Sequence, residues 1–288
     1  MIIALALLIL LFLIGTPIAF GLGIAPLIAL EARNIPLLIV PQIAFEALDS
    51  FVLMAIPFFI LAGRLMQAGG VAKRLVDLAI VLTGWMRGGL ASASVVTSMF
   101  FATMSGSSSA TAAAVGTGLI PEMERSRYPR PFAAATIAAS AELGAIIPPS
   151  VPMIVYAVVA GVSITDLFIA GVVPGLLIGL SLIAFIYVIA MRRDYGVLTT
   201  QSVAEWASDF RQAFKRAALP LLIPVIVLGG IYGGIFTPTE AAVVSVFYAM
   251  VLGIGVYRTI GVGDLPKILA DSALTSAIVL IIVGFASV

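Results

Sequence analysis

The chain has 288 residues, of which 62% are hydrophobic and 10% are charged; its mean hydropathy is +1.22 and its formal net charge is +1. Long apolar runs recur along the chain, which excludes a soluble globular domain and predicts an all-α polytopic membrane protein. Cysteine and histidine are both absent, which excludes disulfides, thiolate chemistry, imidazole metal sites and acid–base catalysis by histidine.

Ten apolar segments follow one another, with the charged residues gathered between them. They fall at roughly 2–15, 17–30, 48–63, 75–86, 88–120, 131–160, 163–191, 217–236, 238–257 and 269–288. No basic residue precedes the first segment, which continues through Gly15-Thr16-Pro17 into more apolar sequence. It is therefore not predicted to be a cleaved signal peptide.

The positions of the basic residues predict how these segments cross the membrane. The most basic connection, 192–216, is placed in the cytoplasm by the positive-inside rule. Counting crossings back from it keeps the basic loop at 125–130 and Arg87 in the cytoplasm if 88–120 is a re-entrant hairpin bent at a run of serines. Of the fifteen basic residues, this arrangement leaves only Arg33 on the periplasmic side.

Two further segments are predicted to lie on the cytoplasmic surface. The helix at 71–86 is too short to span comfortably, so it is predicted to be an interfacial arm helix. The connector 192–216 contains Ser202-x-x-Glu205, a capping-box pattern. Apolar residues recur there at three- and four-residue spacing, at Val203, Trp206, Phe210 and Phe214. An amphipathic interfacial helix and an ordinary surface helix packed on its neighbours both fit this pattern.

The first break in the apolar sequence is a run of small polar residues. It consists of Ser105, Gly106, Ser107, Ser108 and Ser109, followed closely by Thr111. Non-helical backbone at membrane depth must be buried in protein or line a wet cavity, because lipid offers it no hydrogen-bond partner. The hydroxyls and bent backbone carbonyls are hard oxygen ligands, the kind that suits a small cation such as sodium. The helix that starts near Ala110 also presents free N–H groups to a carboxylate.

The alternative interpretation of this segment is close helix packing, which small residues permit in membranes. Packing is the favoured interpretation for Gly116 and Gly118, whereas the serine run is favoured as a functional site.

The second break is Pro148-Pro149, which cannot continue a helix because proline lacks the N–H and clashes with the preceding turn. Segment 131–160 is therefore predicted to be two half-helices, and a simple kink is the alternative. Free carbonyls from Gly144 to Ile147 would complete a sodium site with Ser150. Two such breaks predict a transporter's ion and substrate site near the membrane midplane. The predicted sodium ligands are Ser107, Ser108, Gly144 and Ser150.

Glu142 is the only carboxylate deep in an apolar segment, and charges inside membranes are usually functional or paired. It is an ion ligand, a proton carrier or a member of a structural ion pair, and the sequence leaves these open. Asp49, Glu240 and Asp271 lie near segment ends and are predicted to be interfacial.

Two short matches predict an internal repeat. Thr16-Pro17 is matched by Thr237-Pro238, and 47–50 loosely by 269–272, at offsets of 221 and 222 residues. The predicted orientation makes the copies inverted, and inverted repeats with broken helices recur in secondary transporters. A second hairpin and a second break are accordingly expected beyond Val288, so the chain is predicted to be incomplete, and a natural half-transporter is the alternative.

The predicted organisation has three parts. They are a first inverted repeat at 1–191 (scaffold helices, arm helix 71–86, re-entrant hairpin 88–120, broken helix 131–160 and closing helix 163–191), a cytoplasmic interfacial connector at 192–216, and the truncated start of a second repeat at 217–288.

Several stretches of the chain together resemble the large membrane subunit of the tripartite ATP-independent periplasmic (TRAP) transporters. They are FVLMAIPFFILAGRLMQAGG (51–70), MSGSSSATAAAVGTGLIPEM (104–123), GAIIPPSVPMIVYAVVAGVSITDLFIAGVVPG (144–175) and GGIYGGIFTPTEAAVVSVFYAMVLG (229–253). The resemblance implies an elevator-type fold in the bacterial inner membrane and sodium-driven uptake of organic acids such as C4-dicarboxylates or sialic acid. It maps the hairpin tip to Ser105–Ser109 and the paired helix break to Gly144–Ser150.

The resemblance also implies partners. These are a small four-helix membrane subunit, a periplasmic substrate-binding protein, a carboxylate substrate and membrane lipid, with no nucleic acid and no cofactor other than sodium as the coupling ion.

Other classes of protein fit less well. An ion channel, or a sodium-coupled carboxylate carrier without a binding protein, is the alternative. A membrane-embedded hydrolase would need a base beside its nucleophile, yet histidine is absent and Lys73, Lys215 and Lys267 all lie near loops. The absence of a Gly-x-x-x-x-Gly-Lys motif argues against ATP hydrolysis by this chain.

Overall fold

The computed structural model describes residues 2–196 and 202–288, and all regular structure in these two ranges is helical. The prediction of an all-α polytopic membrane protein is confirmed. Within the described ranges, five helices are long and apolar enough to cross a membrane, and a bent pair counts as a sixth if it is one span.

The first four helices include one that the sequence analysis missed. They are α1 (Ile2–Leu13), α2 (Ile18–Glu31), α3 (Ile39–Leu48) and α4 (Ala55–Ala68), with a 3-10 turn at Phe51–Met54 leading into the last. The apolar segment predicted at 48–63 begins at Phe51 and continues to Ala68. Helix α3 was overlooked because it is only ten residues long and is interrupted by Pro41, Gln42 and Glu46.

The predicted arm helix is α5 (Val71–Thr83), which starts after Gly70 in a left-handed conformation. At 1.5 Å per residue its thirteen residues extend about 20 Å, which is too short to span a bilayer core. It packs against α6 and α12, and its residues Val71, Leu75 and Ala79 are buried. Its position at the membrane surface stays a prediction.

Residues 88–120 form a helical hairpin of α6 (Gly89–Ser105) and α7 (Ser108–Arg125), broken at Gly106 and Ser107. Leu90, at the start of α6, packs against the cluster that contains Leu119 of α7. Tyr128, just beyond α7, contacts the backbone of Leu90 and Ala91. Burial raises the pKa of the Tyr128 hydroxyl, and the contacts with the backbone oppose this effect only in part. The two outer ends of the hairpin therefore lie side by side.

The second predicted break also divides its segment. Helix α8 (Arg130–Ala141) continues through the short α9 (Leu143–Ile146), and α10 (Val151–Ala160) leaves at an angle of 42°. Helix α11 (Ile164–Arg193) then runs back for thirty residues and corresponds to the predicted closing helix.

The predicted connector 192–216 and the predicted span at 217–236 share one helix. A single helix, α12 (Val203–Tyr232), continues through this boundary without interruption. The predicted capping box of Ser202 and Glu205 is confirmed at its start, and Trp206, Phe210 and Phe214 stack along one side. No residue near Ala217 breaks the helix, and α12 also accommodates Pro220 and Pro224 internally.

The last helices are α13 (Pro238–Met250), which continues into a π-helical turn at Val251–Val256, and α14 (Leu265–Ala286). The Thr-Pro dipeptides of the predicted repeat each stand at a helix start, before Ile18 and at Pro238. The second match differs in local structure, because 47–50 lies at the end of α3 whereas 269–272 lies inside α14.

The connections form two groups at opposite ends of the bundle. At one end, Arg87 pairs with Asp194 at 3.4 Å, and Tyr128 lies 6.2 Å from Tyr195 between ring centroids. The indole nitrogen of Trp206 donates to the carbonyl of Val81 at 3.0 Å at the same end. All of these connections are among those that the positive-inside rule assigns to the cytoplasm.

At the other end, Ser50, Gly161 and Pro238 line one cavity, and the hydroxyl of Thr239 donates to the carbonyl of Phe51 at 3.1 Å. Counting crossings from the connector at 192–216, predicted to be cytoplasmic, puts all these residues on the periplasmic side. The structure therefore brings together the connections that the charge pattern assigned to each side.

Single cysteines in this cysteine-free chain test the orientation. We expect cysteines at Ser126 and Ser208 to react with an impermeant maleimide only from the cytoplasm, and one at Asn34 only from the periplasm. Labelling of intact and of opened spheroplasts measures this. Labelling of position 126 from the periplasm would mean that 88–120 spans the membrane rather than forming a re-entrant hairpin.

Candidate functional site

The two breaks predicted from sequence meet in the interior of the bundle. The backbone N–H of Val151 donates to the carbonyl of Gly106 at 3.0 Å, so the tip of the hairpin is hydrogen-bonded to the start of α10. Gly106 has φ +58°, and a Cβ atom there would lie 2.8 Å from the carbonyl oxygen of Pro149. Only glycine satisfies both the left-handed conformation and this close approach.

Two more glycines bring backbones together at the same place. A Cβ at Gly144 would lie 2.7 Å from the carbonyl oxygen of Ser107 and 2.8 Å from the hydroxyl of Thr111. A Cβ at Gly63 of α4 would lie 3.1 Å from the Cα of Ser105. The hairpin tip is therefore fixed between α4 on one side and α9 on the other.

Three oxygen atoms of the hairpin form a compact group that we call the oxygen triad: Ser105 Oγ, Ser107 O and Thr111 Oγ1. The Thr111 hydroxyl donates to the Ser107 carbonyl at 2.8 Å, the two hydroxyls lie 3.1 Å apart, and Ser105 Oγ lies 3.5 Å from the same carbonyl. Ser105 and Thr111 are buried. The backbone of Gly144 packs directly against the triad, because a Cβ there would lie within 2.8 Å of both Ser107 O and Thr111 Oγ1.

Two serines also hold the starts of helices. The hydroxyl of Ser107 accepts from the backbone N–H of Ala110, and that of Ser150 accepts from the N–H of Met153, both at 3.4 Å. Ser150 additionally donates to the carbonyl of Ala145 at 2.6 Å, which ties the two sides of the proline break together. These are N-caps, so α7 and α10 both begin where the breaks meet.

Glu142 lies at the edge of this site, exposed at the junction of α8 and α9. Its carboxylate accepts a hydrogen bond of 3.3 Å from the hydroxyl of Ser108. None of the ion pairs in the described ranges includes it. The interpretation as a structural ion pair is therefore wrong for this part of the chain, and the roles of ion ligand and proton carrier stay open.

The structure brings only some of the predicted site residues together. The structure brings together Ser105, Gly106, Ser107, Thr111, Gly144, Pro149 and Ser150. Ser108 and Ser109 lie on the outer side of the turn, with Ser109 exposed. Pro148 is buried beside Pro149 in the second break, and the side chain of Ile147 packs against Gly175 of α11. Gly116 packs on Ile137, whereas nothing in the described part of the chain lies within 4 Å of a Cβ built at Gly118.

Sequence reasoning missed the residues that other helices contribute. Gly63, Arg64 and Gln67 of α4 and Thr275 of α14 border the hairpin tip, and the last three line a cavity of about 470 Å³ beside the serine run. Arg64 was the available signal, as an arginine inside an otherwise apolar run. Within the described ranges, no group of three or more acidic residues could hold a metal ion.

Comparison with known proteins identifies the family. Residues 5–288 match the family described as Tripartite ATP-independent periplasmic transporter, DctM component. The chain belongs to this family. It is 45% identical over 277 residues to the isethionate TRAP transporter permease protein DctMQ of Oleidesulfovibrio alaskensis, covering 96% of this chain and 43% of that protein.

Two further relatives carry different substrate names. The chain is 45% identical over 240 residues to the C4-dicarboxylate TRAP transporter large permease protein DctM of Pseudomonas aeruginosa, covering 83% of this chain and 55% of the relative. It is 39% identical over 272 residues to the sialic acid TRAP transporter large permease protein SiaM of Vibrio cholerae, covering 93% and 62%. The chain spans about half the length of the curated DctM relatives it matches. The suspected resemblance to TRAP large permeases is confirmed.

Proposed function

We propose that this DctM-family chain is part of a permease that takes up organic acids across the bacterial inner membrane, driven by sodium. Its relatives are named as transporters of isethionate, C4-dicarboxylates and sialic acid, which are all organic anions. The proposed partners are a small four-helix membrane subunit and a periplasmic substrate-binding protein that delivers the acid. The proposed movement is of the elevator type.

The observation that carries the proposal is the meeting of two helix breaks at membrane depth. Helix α10 ends ten residues from the site, about 15 Å away along its axis, at the end of the bundle assigned to the periplasm. Helix α6 extends seventeen residues, about 25 Å, towards the opposite end. The site therefore lies well inside a hydrocarbon core about 30 Å thick, as in transporters with broken helices.

We place a sodium ion at the oxygen triad. Ligand oxygens held about 2.3–2.6 Å from a hard cation have neighbours at roughly 3 Å, which is the spacing of Ser105 Oγ, Ser107 O and Thr111 Oγ1. The predicted ligands Ser107 and Gly144 border this point. The hydroxyls of Ser108 and Ser150 lie outside the triad, where they donate to Glu142 and to the carbonyl of Ala145.

The organic anion is proposed to bind on the outer side of the same turn. Helix α7 begins there, and its first N–H groups and the positive end of its dipole favour a negatively charged group. Cation and anion would then occupy opposite sides of one turn, so each would lower the electrostatic cost of binding the other. This arrangement is a physical basis for coupling uptake to sodium.

Uptake by the complete transporter tests the proposal. The full-length protein, with its small subunit and binding protein in proteoliposomes, is expected to accumulate a labelled acid only when sodium is higher outside. A proton gradient in sodium-free buffer is expected to give no uptake above background. Full-rate uptake under that condition would contradict sodium coupling and would favour Glu142 as a proton carrier. Conduction without the binding protein would favour a channel.

A further inference from the structure

A single charged side chain borders the cavity at the hairpin tip. The described residues that line this space of about 470 Å³ include Ser107, Ser108, Gln67 and Thr275, and among all of them only Arg64 carries a charge. Helix α4 is held against the tip by the close contact of Gly63 with Ser105, so the position of Arg64 relative to the serine run is fixed by packing.

The side chain of Arg64 contacts α14 midway along that helix rather than at its end. Its guanidinium donates to the hydroxyl of Thr275 at 3.4 Å. Thr275 is the eleventh of the 22 residues of α14, about 15 Å along the helix from its start at Leu265. An arginine that only anchors a helix end would extend to the polar interface instead. A charge kept at this depth indicates a functional role or a charged partner.

No charged partner satisfies Arg64 in the described part of the chain. The ion pairs found there join other arginines to Asp194, Glu122 and Glu124. Two carboxylates lie in the neighbourhood without forming an ion pair with it: Glu142, bound to Ser108, and Asp271, one turn before Thr275 on α14. A guanidinium has five N–H donors, and one long bond to a neutral hydroxyl leaves most of them free.

We infer that Arg64 receives the oxyanion group of the transported organic acid, a carboxylate or a sulfonate, in the cavity beside the serine run. The inference rests on the proposed function and assigns its anion-binding residue. The planar guanidinium binds such a group through two parallel N–H···O bonds, which are strong because both partners are charged. Gln67 and the hydroxyls of Ser107 and Ser108 border the remaining volume and would contact the rest of the substrate.

Binding and uptake by variants of the full-length transporter test this inference. Succinate, N-acetylneuraminate and isethionate serve as probes, which separates carboxylates from a sulfonate. We expect Arg64→Gln to weaken the affinity for the bound probe about 10- to 100-fold, because a charged pair is lost in a site of low dielectric. Arg64→Lys keeps a point charge without the two-pronged geometry and is expected to lose less. The sodium concentration for half-maximal uptake at saturating probe should change less than about twofold.

Arg192→Gln is the matched control, because Arg192 lies exposed at the end of α11 away from the cavity. It should leave probe affinity unchanged. Asp271→Asn tests the alternative that Arg64 is paired with Asp271. An unchanged probe affinity in Arg64→Gln, or the same loss in Asp271→Asn as in Arg64→Gln, would overturn the inference while leaving sodium-driven uptake intact. A wild-type protein that binds none of the probes and shows no sodium-dependent uptake would overturn the proposed function with it.

Discussion

Replacing Gly144 by alanine is expected to reduce sodium-dependent uptake roughly 5- to 100-fold. A methyl group there would approach the carbonyl oxygen of Ser107 to 2.7 Å and the hydroxyl of Thr111 to 2.8 Å. Both atoms belong to the oxygen triad, so relief of the clash must move proposed sodium ligands. Forcing an extra methyl group into a packed site costs about 1–3 kcal/mol. One tenfold step in affinity corresponds to about 1.4 kcal/mol, so even the lower part of this range affects transport measurably.

Gly144→Ala is informative because packing and helix propensity predict opposite effects on stability. Gly144 lies in the helical segment α9 and has no left-handed conformation, so helix propensity alone predicts that alanine stabilises it by about 1 kcal/mol. Gly118→Ala on α7 is the matched control, since no atom lies within 4 Å of its new Cβ. Thermal unfolding in detergent and uptake in proteoliposomes should separate the two variants. Equal uptake in both would mean that the contact between α9 and the hairpin tip is not part of the site.

The sequence identified both breaks because each violates a local rule. Five small polar residues interrupt an apolar run at Ser105–Ser109, and Pro148-Pro149 cannot continue a helix. The sequence does not determine that the two breaks touch, because the hydrogen bond from Val151 to Gly106 depends on how the hairpin packs. Gly144 was predicted to contribute a free carbonyl. In the structure its lack of a side chain allows α9 to pack against the hairpin tip.

The other differences between prediction and structure concern features that a local sequence pattern does not determine. Helix α12 crosses the predicted boundary near Ala217, because a change from charged to apolar composition does not break a helix. All four serines of the hairpin were predicted to belong to the site, and Ser107 and Ser108 to bind sodium. In the structure Ser105 is buried and Ser109 exposed, and Ser107 and Ser150 cap helices. Arg64 and Thr275 are 211 residues apart in sequence, so no local pattern could join them.

Replacing Thr111 by valine is expected to raise the sodium concentration for half-maximal uptake about 10- to 100-fold. Valine has nearly the shape of threonine but lacks the hydroxyl that donates to the Ser107 carbonyl at 2.8 Å and lies 3.1 Å from Ser105 Oγ. Hydrogen bonds and ligand contacts that involve a charged group contribute about 1.5–3 kcal/mol each, which corresponds to this range of affinity. The affinity for the organic acid at saturating sodium should change much less.

Thr117→Val on the same helix is the control that isolates the triad. The hydroxyls of Thr111 and Thr117 each donate to the carbonyl four residues earlier, so the two substitutions remove the same helical hydrogen bond. Only Thr111 is buried against Ser105, whereas Thr117 is exposed. If the Thr111 hydroxyl were purely structural, its loss would lower the melting temperature and leave the sodium dependence of the surviving protein unchanged. A shift of the sodium dependence in Thr111→Val, without one in Thr117→Val, would instead assign the buried oxygens of the hairpin to the coupling ion.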